Sequence, residues 1–155
     1  MDISLAEQNQ LLEILYIIRE CSKQLSSKGV KYWNNSYPDF HEISNDIAQK
    51  RVLVLRVNRV AVGTVTLKPS AENSKTSEIS RLAIYPKFQQ KGFARKLIEH
   101  AETVAKSSGS EIIKGHIPCD DQALVQLLTD CGYQNKGNET PIIPDFLRIN
   151  FEKRL

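Results

Sequence analysis

At 155 residues the chain has the length of one domain, and a domain of this size buries roughly two-thirds of its unfolded surface, enough for a true core. With 41% hydrophobic and 25% charged residues the composition is that of a soluble globular protein, which excludes a disordered or low-complexity chain. A formal net charge of +3, evenly spread, is too small to point to nucleic acid or a membrane surface and leaves an anionic small molecule as a candidate partner. Cys21, Cys119 and Cys131 cannot all pair and show no CxxC spacing, so reduced thiols and a cytoplasmic setting are expected. The start, MDISLAEQNQ, lacks a basic region followed by an apolar run, and no segment approaches ~18 uninterrupted apolar residues, so the sequence predicts neither a secreted nor a membrane-spanning protein.

Leu11, Ile14, Leu15, Ile18, Cys21 and Leu25 recur at helical spacing and predict a helix to about Lys28, with Gly29 where it would stop. Its start is open: Ser4 to Glu7 has capping-box form, while Asp2 to Leu5 reads equally as a short first strand. DFHEISNDIAQK predicts a second helix capped by Asp39, with Phe40, Ile43 and Ile47 on one face. RVLVLRV and VAVGTVTL are β-branched runs joined at Asn58-Arg59, a hairpin pattern, and SEISRLAIY adds a third antiparallel strand. A helix follows on Phe93, Leu97, Ala101, Val104 and Ala105 until Gly109, then the strand EIIKGHI, the helix DQALVQLLTDCG and a last strand, FLRINFEKRL. Pro141 and Pro144 fall in the loop before that strand, where a missing N–H does no harm. The order predicts an α+β fold, a mixed sheet with helices packed on its faces, over residues 1–155 as a single domain. In the last strand the alternation of Leu147, Ile149 and Phe151 suits a core or the edge of a homodimer.

The most informative stretch is ISRLAIYPKFQQKGFARKLI. It runs from a strand through Pro86 and a short basic loop into a helix that opens after Gly92 with Lys91 and Arg95 close by. A helix N-terminus presents unpaired N–H groups and the positive end of the macrodipole, and a glycine there lets a phosphate approach the backbone. The same residues also suit a plain strand-to-helix turn with two solvated cations, and neither GxxxxGK[ST] nor GxGxxG occurs.

QQKGFA, with Gln89, Gly92 and Ala94, resembles the [QR]xxGx[GA] signature of the GNAT superfamily of N-acetyltransferases, and LAIYP, Leu82 to Pro86, resembles the strand end that precedes it. KQLSSKGVKYWNNSYP, RVAVGTVTL and DCGYQNKG are similar to further segments of that family, so the resemblance spans most of the chain. It implies a mostly antiparallel central sheet with a V-shaped splay between strands 4 and 5, the strand ending in LAIYP and EIIKGHI. It implies acetyl-CoA as co-substrate, bound by Leu82, Ala83 and Ile84 along the pantetheine and by Gln89, Gln90, Lys91, Gly92, Phe93, Ala94 and Arg95 around the pyrophosphate. The backbone N–H of Ile84 is the implied oxyanion donor, and a side chain at position 92 would crowd the phosphate. The implied activity is transfer of acetyl to a primary amine of a small molecule or peptide by direct attack on the thioester. A catalytically weak acyl-CoA-binding protein is the alternative, and an anion-binding module without CoA is the third reading.

Such chemistry needs an uncharged amine, a donor for the oxyanion and a fate for the thiolate. Glu78 is the preferred base, because strand parity with Ser80, Leu82 and Ile84 puts its side chain on their face; the same position also suits an exposed carboxylate. His116 is the second candidate, although a lone strand histidine is commonly structural; His41 and His100 read as surface residues. The family often carries a tyrosine in the last helix to protonate the thiolate. Alignment on Gly132-Tyr133 puts Leu128 at that position and Asp121 where the family has asparagine, two departures. Tyr133 and Cys131 are possible substitutes but read better as core, and Cys119 has no neighbour to lower its pKa. Tyr32, Trp33 and Tyr37 suit either an acceptor pocket or an anchor for the linker, and three scattered histidines predict no metal site.

Overall fold

The computed structural model describes residues 1–29, 38–118, 121–138 and 148–155. Tyr32, Trp33, Tyr37, Cys119, Pro141, Pro144 and Leu147 therefore lie outside the described residues. The elements are β1 (Asp2–Leu5), α1 (Leu11–Ser27), α2 (Phe40–Ala48), β2 (Val52–Val57), β3 (Val60–Pro69) and β4 (Thr76–Ile84). They continue with α3 (Phe93–Ser107), β5 (Ile112–Pro118), α4 (Gln122–Asp130), β6 (Gln134–Asn138) and β7 (Arg148–Arg154). The seven strands form one sheet in the order β1-β2-β3-β4-β5-β7-β6, with β4 and β5 parallel and the other neighbours antiparallel. None of the described helices is long and apolar enough to cross a membrane.

The local sequence explains most of these elements. Asn58 and Arg59 take φ of 51° and 69°, the left-handed pair that a two-residue β2–β3 reversal requires. Asp39 caps α2 by accepting from the Glu42 N–H at 2.9 Å. Asp2–Leu5 resolves as a strand paired with β2. Gln134–Asn138 is a strand that the sequence does not suggest: QNKGN has no apolar alternation, and its ladder to β7 holds it. β7 is consequently interior, between β5 and β6, with Phe151 at 1% exposure in the core, so the reading of its apolar residues as a dimer edge is withdrawn.

Helices cover both faces. Ile14, Ile17 and Ile18 of α1 and Ile43 and Ile47 of α2 bury against Val52, Val54 and Ala83 on one face. Leu97, Ile98, Ala101 and Ala105 of α3 and Leu128 of α4 bury against Leu53, Leu55, Ile79, Ile84 and Ile113 on the other. Phe40, expected on the buried face of α2, is 49% exposed; it is the helix's first residue, and its ring stands edge-on to His41.

One irregularity positions the site. The β3–β4 register shifts between Thr64↔Ala83 and Thr66↔Ser80, and Arg81, inside the shift, takes φ of 52°. This is a β-bulge, which inserts one residue and exchanges the faces beyond it. Ile79 and Ile84, of opposite parity in sequence, accordingly bury in the same α3-side cluster, with Leu82 packed against it. The parity argument for Glu78 is corrected by this bulge. Glu78 and Ser80 alternate with Ile79 and so face the α1/α2 side, opposite the side chains of Leu82 and Ile84.

Candidate active site

β4 and β5 pair from Thr76↔Ile112 to Ile79↔Gly115 and then part. Beyond that point β4 continues beside β3 to Ile84, and β5 continues beside β7 to Pro118, which opens a V between them. Tyr85 N–H donates to Val62 C=O at 2.8 Å, so by antiparallel alternation Ala83 turns its backbone to β3 while Leu82 and Ile84 turn theirs to the open side. The bulge preserves this edge: Ile79 faces β5 through its backbone, and Leu82 and Ile84 continue that row where β5 has left. Of the predicted pantetheine contacts, Leu82 and Ile84 thus present main-chain groups to the gap. Ala83 lines the cleft but is bonded on its other edge and buried at its side chain.

The predicted pyrophosphate loop borders a cleft of about 370 Å³. Gly92 is the N-cap of α3 at φ 84°, with no side-chain cap, so the first N–H groups of a 15-residue helix are left for another acceptor. Gln90, at φ 60°, makes a second left-handed residue in the loop. A Cβ at Gly92 would meet no protein atom within 4 Å; the protein itself demands glycine there for its φ, and the space beside it stays open. Gln90, Gly92, Phe93, Ala94 and Arg95 line the cleft, whereas Lys91 is exposed on the outer side of the loop.

Gln89 behaves differently from expectation. Its side-chain amide exchanges two hydrogen bonds with Gln24 of α1, at 2.8 and 3.0 Å, and donates to the Ile84 carbonyl at 2.9 Å. It ties the loop to α1 and to the end of β4. Cys21 and Gln24 of α1 and Lys28, its C-cap, also line the cleft, and the sequence reading passed over them. A signal existed, because residues 21, 24, 25 and 28 continue the buried face of α1 at i, i+3, i+4 and i+7. The Cys21 thiol donates to the Ile84 carbonyl at 3.0 Å, and burial pushes its pKa up to about 12. It stays protonated and holds the end of β4 rather than acting as a nucleophile.

On the α1/α2 side of the V stand the two predicted bases. Glu78 lies one rung below the apex, between Lys68 on β3 and Lys114 on β5, and Lys114 also meets Glu152 at 3.7 Å. That alternating row of charges runs across four strands. His116 stands one rung above the apex, lines the cavity there, and its Nδ1 lies 2.5 Å from Asn150 Oδ1. Nearby, Arg81 reaches from the bulge to Asp46 and Glu42 of α2. His41 is exposed and His100 half-buried, both away from the cleft lining.

Residues 13–133 match the acetyltransferase (GNAT) family. The chain belongs to the GNAT acetyltransferase family. Its fold is shared with a GNAT-family acetyltransferase from Streptococcus agalactiae, with a TM-score of 0.85 at 18% identity over 99% of this chain and 95% of that one. It is also shared with the PaiA N-acetyltransferase of Thermoplasma acidophilum in complex with coenzyme A, with a TM-score of 0.82 at 16% identity over 99% and 98%. A third similar structure is YncA, a putative acetyltransferase from Salmonella typhimurium with its cofactor acetyl-CoA, with a TM-score of 0.79 at 18% identity over 100% and 94%. No curated protein sequence matches the chain.

In this GNAT protein the face of α4 toward the cleft is apolar. Ala123, Leu124 and Leu127 line it, and Leu128, where the family resemblance implies a tyrosine, is 1% exposed at the apex. Tyr133 is turned to the other side, where its hydroxyl donates to Glu102 Oε1 at 3.2 Å and Lys153 holds the same carboxylate at 3.0 Å. Burial, then the Glu102 charge, raise its pKa, so it is a core anchor. Burial likewise raises the pKa of Cys131. Asp121 caps α4 by accepting from the Leu124 N–H at 3.2 Å and lines both the cleft and the apex. Burial raises its pKa, against the pull of that N–H and of Lys28.

Proposed function

We propose that this protein transfers an acetyl group from acetyl-CoA to a primary amine of a small molecule or peptide. The observation that carries the reading is one continuous cleft with two kinds of unused main-chain donor. The N-terminus of α3 behind Gly92 lies at one end, and the gap-facing edge of Leu82 and Ile84 lies at the other. The residues present fit the group: the α3 N–H groups and Arg95 suit a pyrophosphate, and the strand edge suits the thioester end of a pantetheine arm. Acetyl-CoA supplies the acyl group and a thioester that an amine can attack.

The chain's own residues supply the rest. The Ile84 N–H, with that of Leu82 beside it, receives the charge that builds on the carbonyl oxygen. Cys21 and Gln89 hold the Ile84 carbonyl and fix the geometry of that strand end. The amine approaches from the α1/α2 face, where the polar side chains stand, while the opposite face is closed by leucines. An alkylamine, with a pKa near ~10.4, must lose a proton before attack. The C–N bond forms as the C–S bond breaks, the sulfur leaves with the electron pair, and the amine proton passes to the base. His116 takes this role in our reading, because it lines the apex cavity, with Glu78 as the second candidate acting through water. A thiol of pKa about 8.5 leaves tolerably as the anion, so the apolar α4 face is compatible with turnover.

Leu128 and its neighbours also favour a second reading, an acyl-CoA-binding protein of weak activity. Calorimetric titration with acetyl-CoA, followed by thiol release with an amine panel, separates the two: amine-dependent release supports transfer, and binding without release supports the second. His116→Ala is expected to lower amine-dependent kcat/KM about 100-fold, the scale of a lost general base. If Glu78→Gln does this and His116→Ala does not, the roles are reversed.

A further inference from the structure

We propose that the apex of the β4–β5 splay is an acyl-chain pocket and that this protein uses neutral short-chain acyl-CoA thioesters longer than acetyl, propionyl-CoA first. The inference rests on the transferase reading above. Its basis is a cavity of about 50 Å³ at the apex, walled on the α3/α4 side by Ile79, Leu82, Gly115, Ile117, Leu124 and Leu128, with Ser80, Arg81, His116 and Asp121 also in its lining. A water-sized group needs roughly 10–15 Å³ by this measure, so the cavity has room for several.

The direction of the cleft places an acyl group there. With the pyrophosphate seat at Gln90–Arg95 fixing one end, a ligand lying along β4 has its thioester beside Ile84 and Leu82, and an acyl chain continuing in that direction points toward Ile79 and Gly115. Leu25, Leu82, Asp121 and Leu124 line both the cleft and the apex, so the two spaces are continuous.

Two residues set the depth. Gly115 provides no side chain where a Cβ would stand 3.4 Å from Ile79 Cγ1 and 3.9 Å from Leu128 Cδ1, space that the strand leaves open to the cavity. Leu128 supplies an apolar wall in place of a hydroxyl. The walls also state the chemistry. A carboxylate at the end of the acyl chain would be desolvated against Ile79 and Leu128; of the polar lining groups, the Arg81 guanidinium is turned to Asp46 and Glu42, His116 meets Asn150 through Nδ1, Ser80 is uncharged, and Asp121 adds an acidic group. Dicarboxylic acyl groups are therefore disfavoured.

The test is calorimetric titration of the whole chain with CoA, acetyl-, propionyl-, butyryl- and succinyl-CoA. One further buried methylene predicts propionyl-CoA bound about fourfold tighter than acetyl-CoA, and succinyl-CoA at least tenfold weaker than propionyl-CoA on the argument above. Gly115→Ala should lower the butyryl-to-acetyl affinity ratio at least fivefold and Leu128→Ala should raise it; opposite shifts cannot come from damage to the fold. Propionyl-CoA bound no tighter than acetyl-CoA, or ratios unmoved by both variants, would overturn the pocket while leaving the transferase in place. If CoA and all the thioesters fail to bind, the transferase reading falls and the pocket with it.

Discussion

Asp121 serves two structural ends that conflict. Its carboxyl caps α4 through the Leu124 N–H, which favours an anion, yet it is sunk between the cleft and the apex, where burial penalises the charge. The folded protein therefore holds this proton to higher pH than the unfolded chain does. Stability associated with the group is full below the ordinary carboxyl value of 3.8 and is lost as pH rises through the raised folded value. Asparagine keeps the cap and cannot ionise. Asp121→Asn is expected to melt above the wild type at pH 7, with the gap narrowing as pH is lowered toward 3.8; a gap independent of pH would show that the charge is not what costs stability.

The β4 bulge shows what an element asks of distant residues. A non-glycine residue in the left-handed region costs about 1–2 kcal/mol, and Arg81 is held there by a buried ion pair to Asp46 and a second to Glu42, 35 and 39 residues away in sequence. Asp46→Ala removes the buried partner and leaves Arg81 only the more exposed Glu42, so it should cost about 3 kcal/mol in urea unfolding. The exposed Lys23–Glu20 pair, at 3.2 Å, sets the contrast: Glu20→Ala should cost less than about 0.5 kcal/mol. Equal losses would mean that the bulge does not depend on α2. These distances also explain what the sequence disclosed. The loop before α3 was legible because its signals are local: Pro86, Gly92 and the apolar row from Phe93 fall within a few residues. The order from α1 to α4 was legible through helical and strand periodicity. The face of Glu78 was not, because the bulge that decides it is held from another helix, and β6 was not, because QNKGN becomes a strand only through β7. Gln89 matched a family signature, but its bond to Gln24 joins residues 65 positions apart, which no local pattern contains.

At the scale of the molecule, the cleft is walled by α1, the end of β4, the loop before α3 and α4, and among the described residues the backbone pairing of β4 with β5 stops at Ile79↔Gly115. A ligand in the cleft bridges both arms, so binding adds directly to global stability. At a hundredfold excess over its Kd, a ligand that binds only the folded state contributes about 2.7 kcal/mol, which for a chain of this size raises Tm by roughly 5–10 °C. We expect acetyl-CoA to produce that shift and Gly92→Glu to abolish it. The variant itself pays for its left-handed backbone with about 1 kcal/mol, so its own Tm should fall by only a few degrees. The two effects separate cleanly: a variant that folds but shows no shift locates the phosphate seat at the start of α3. If Gly92→Glu keeps the full shift, the ligand sits elsewhere, and the open space beside Gly92 is a turn and nothing more.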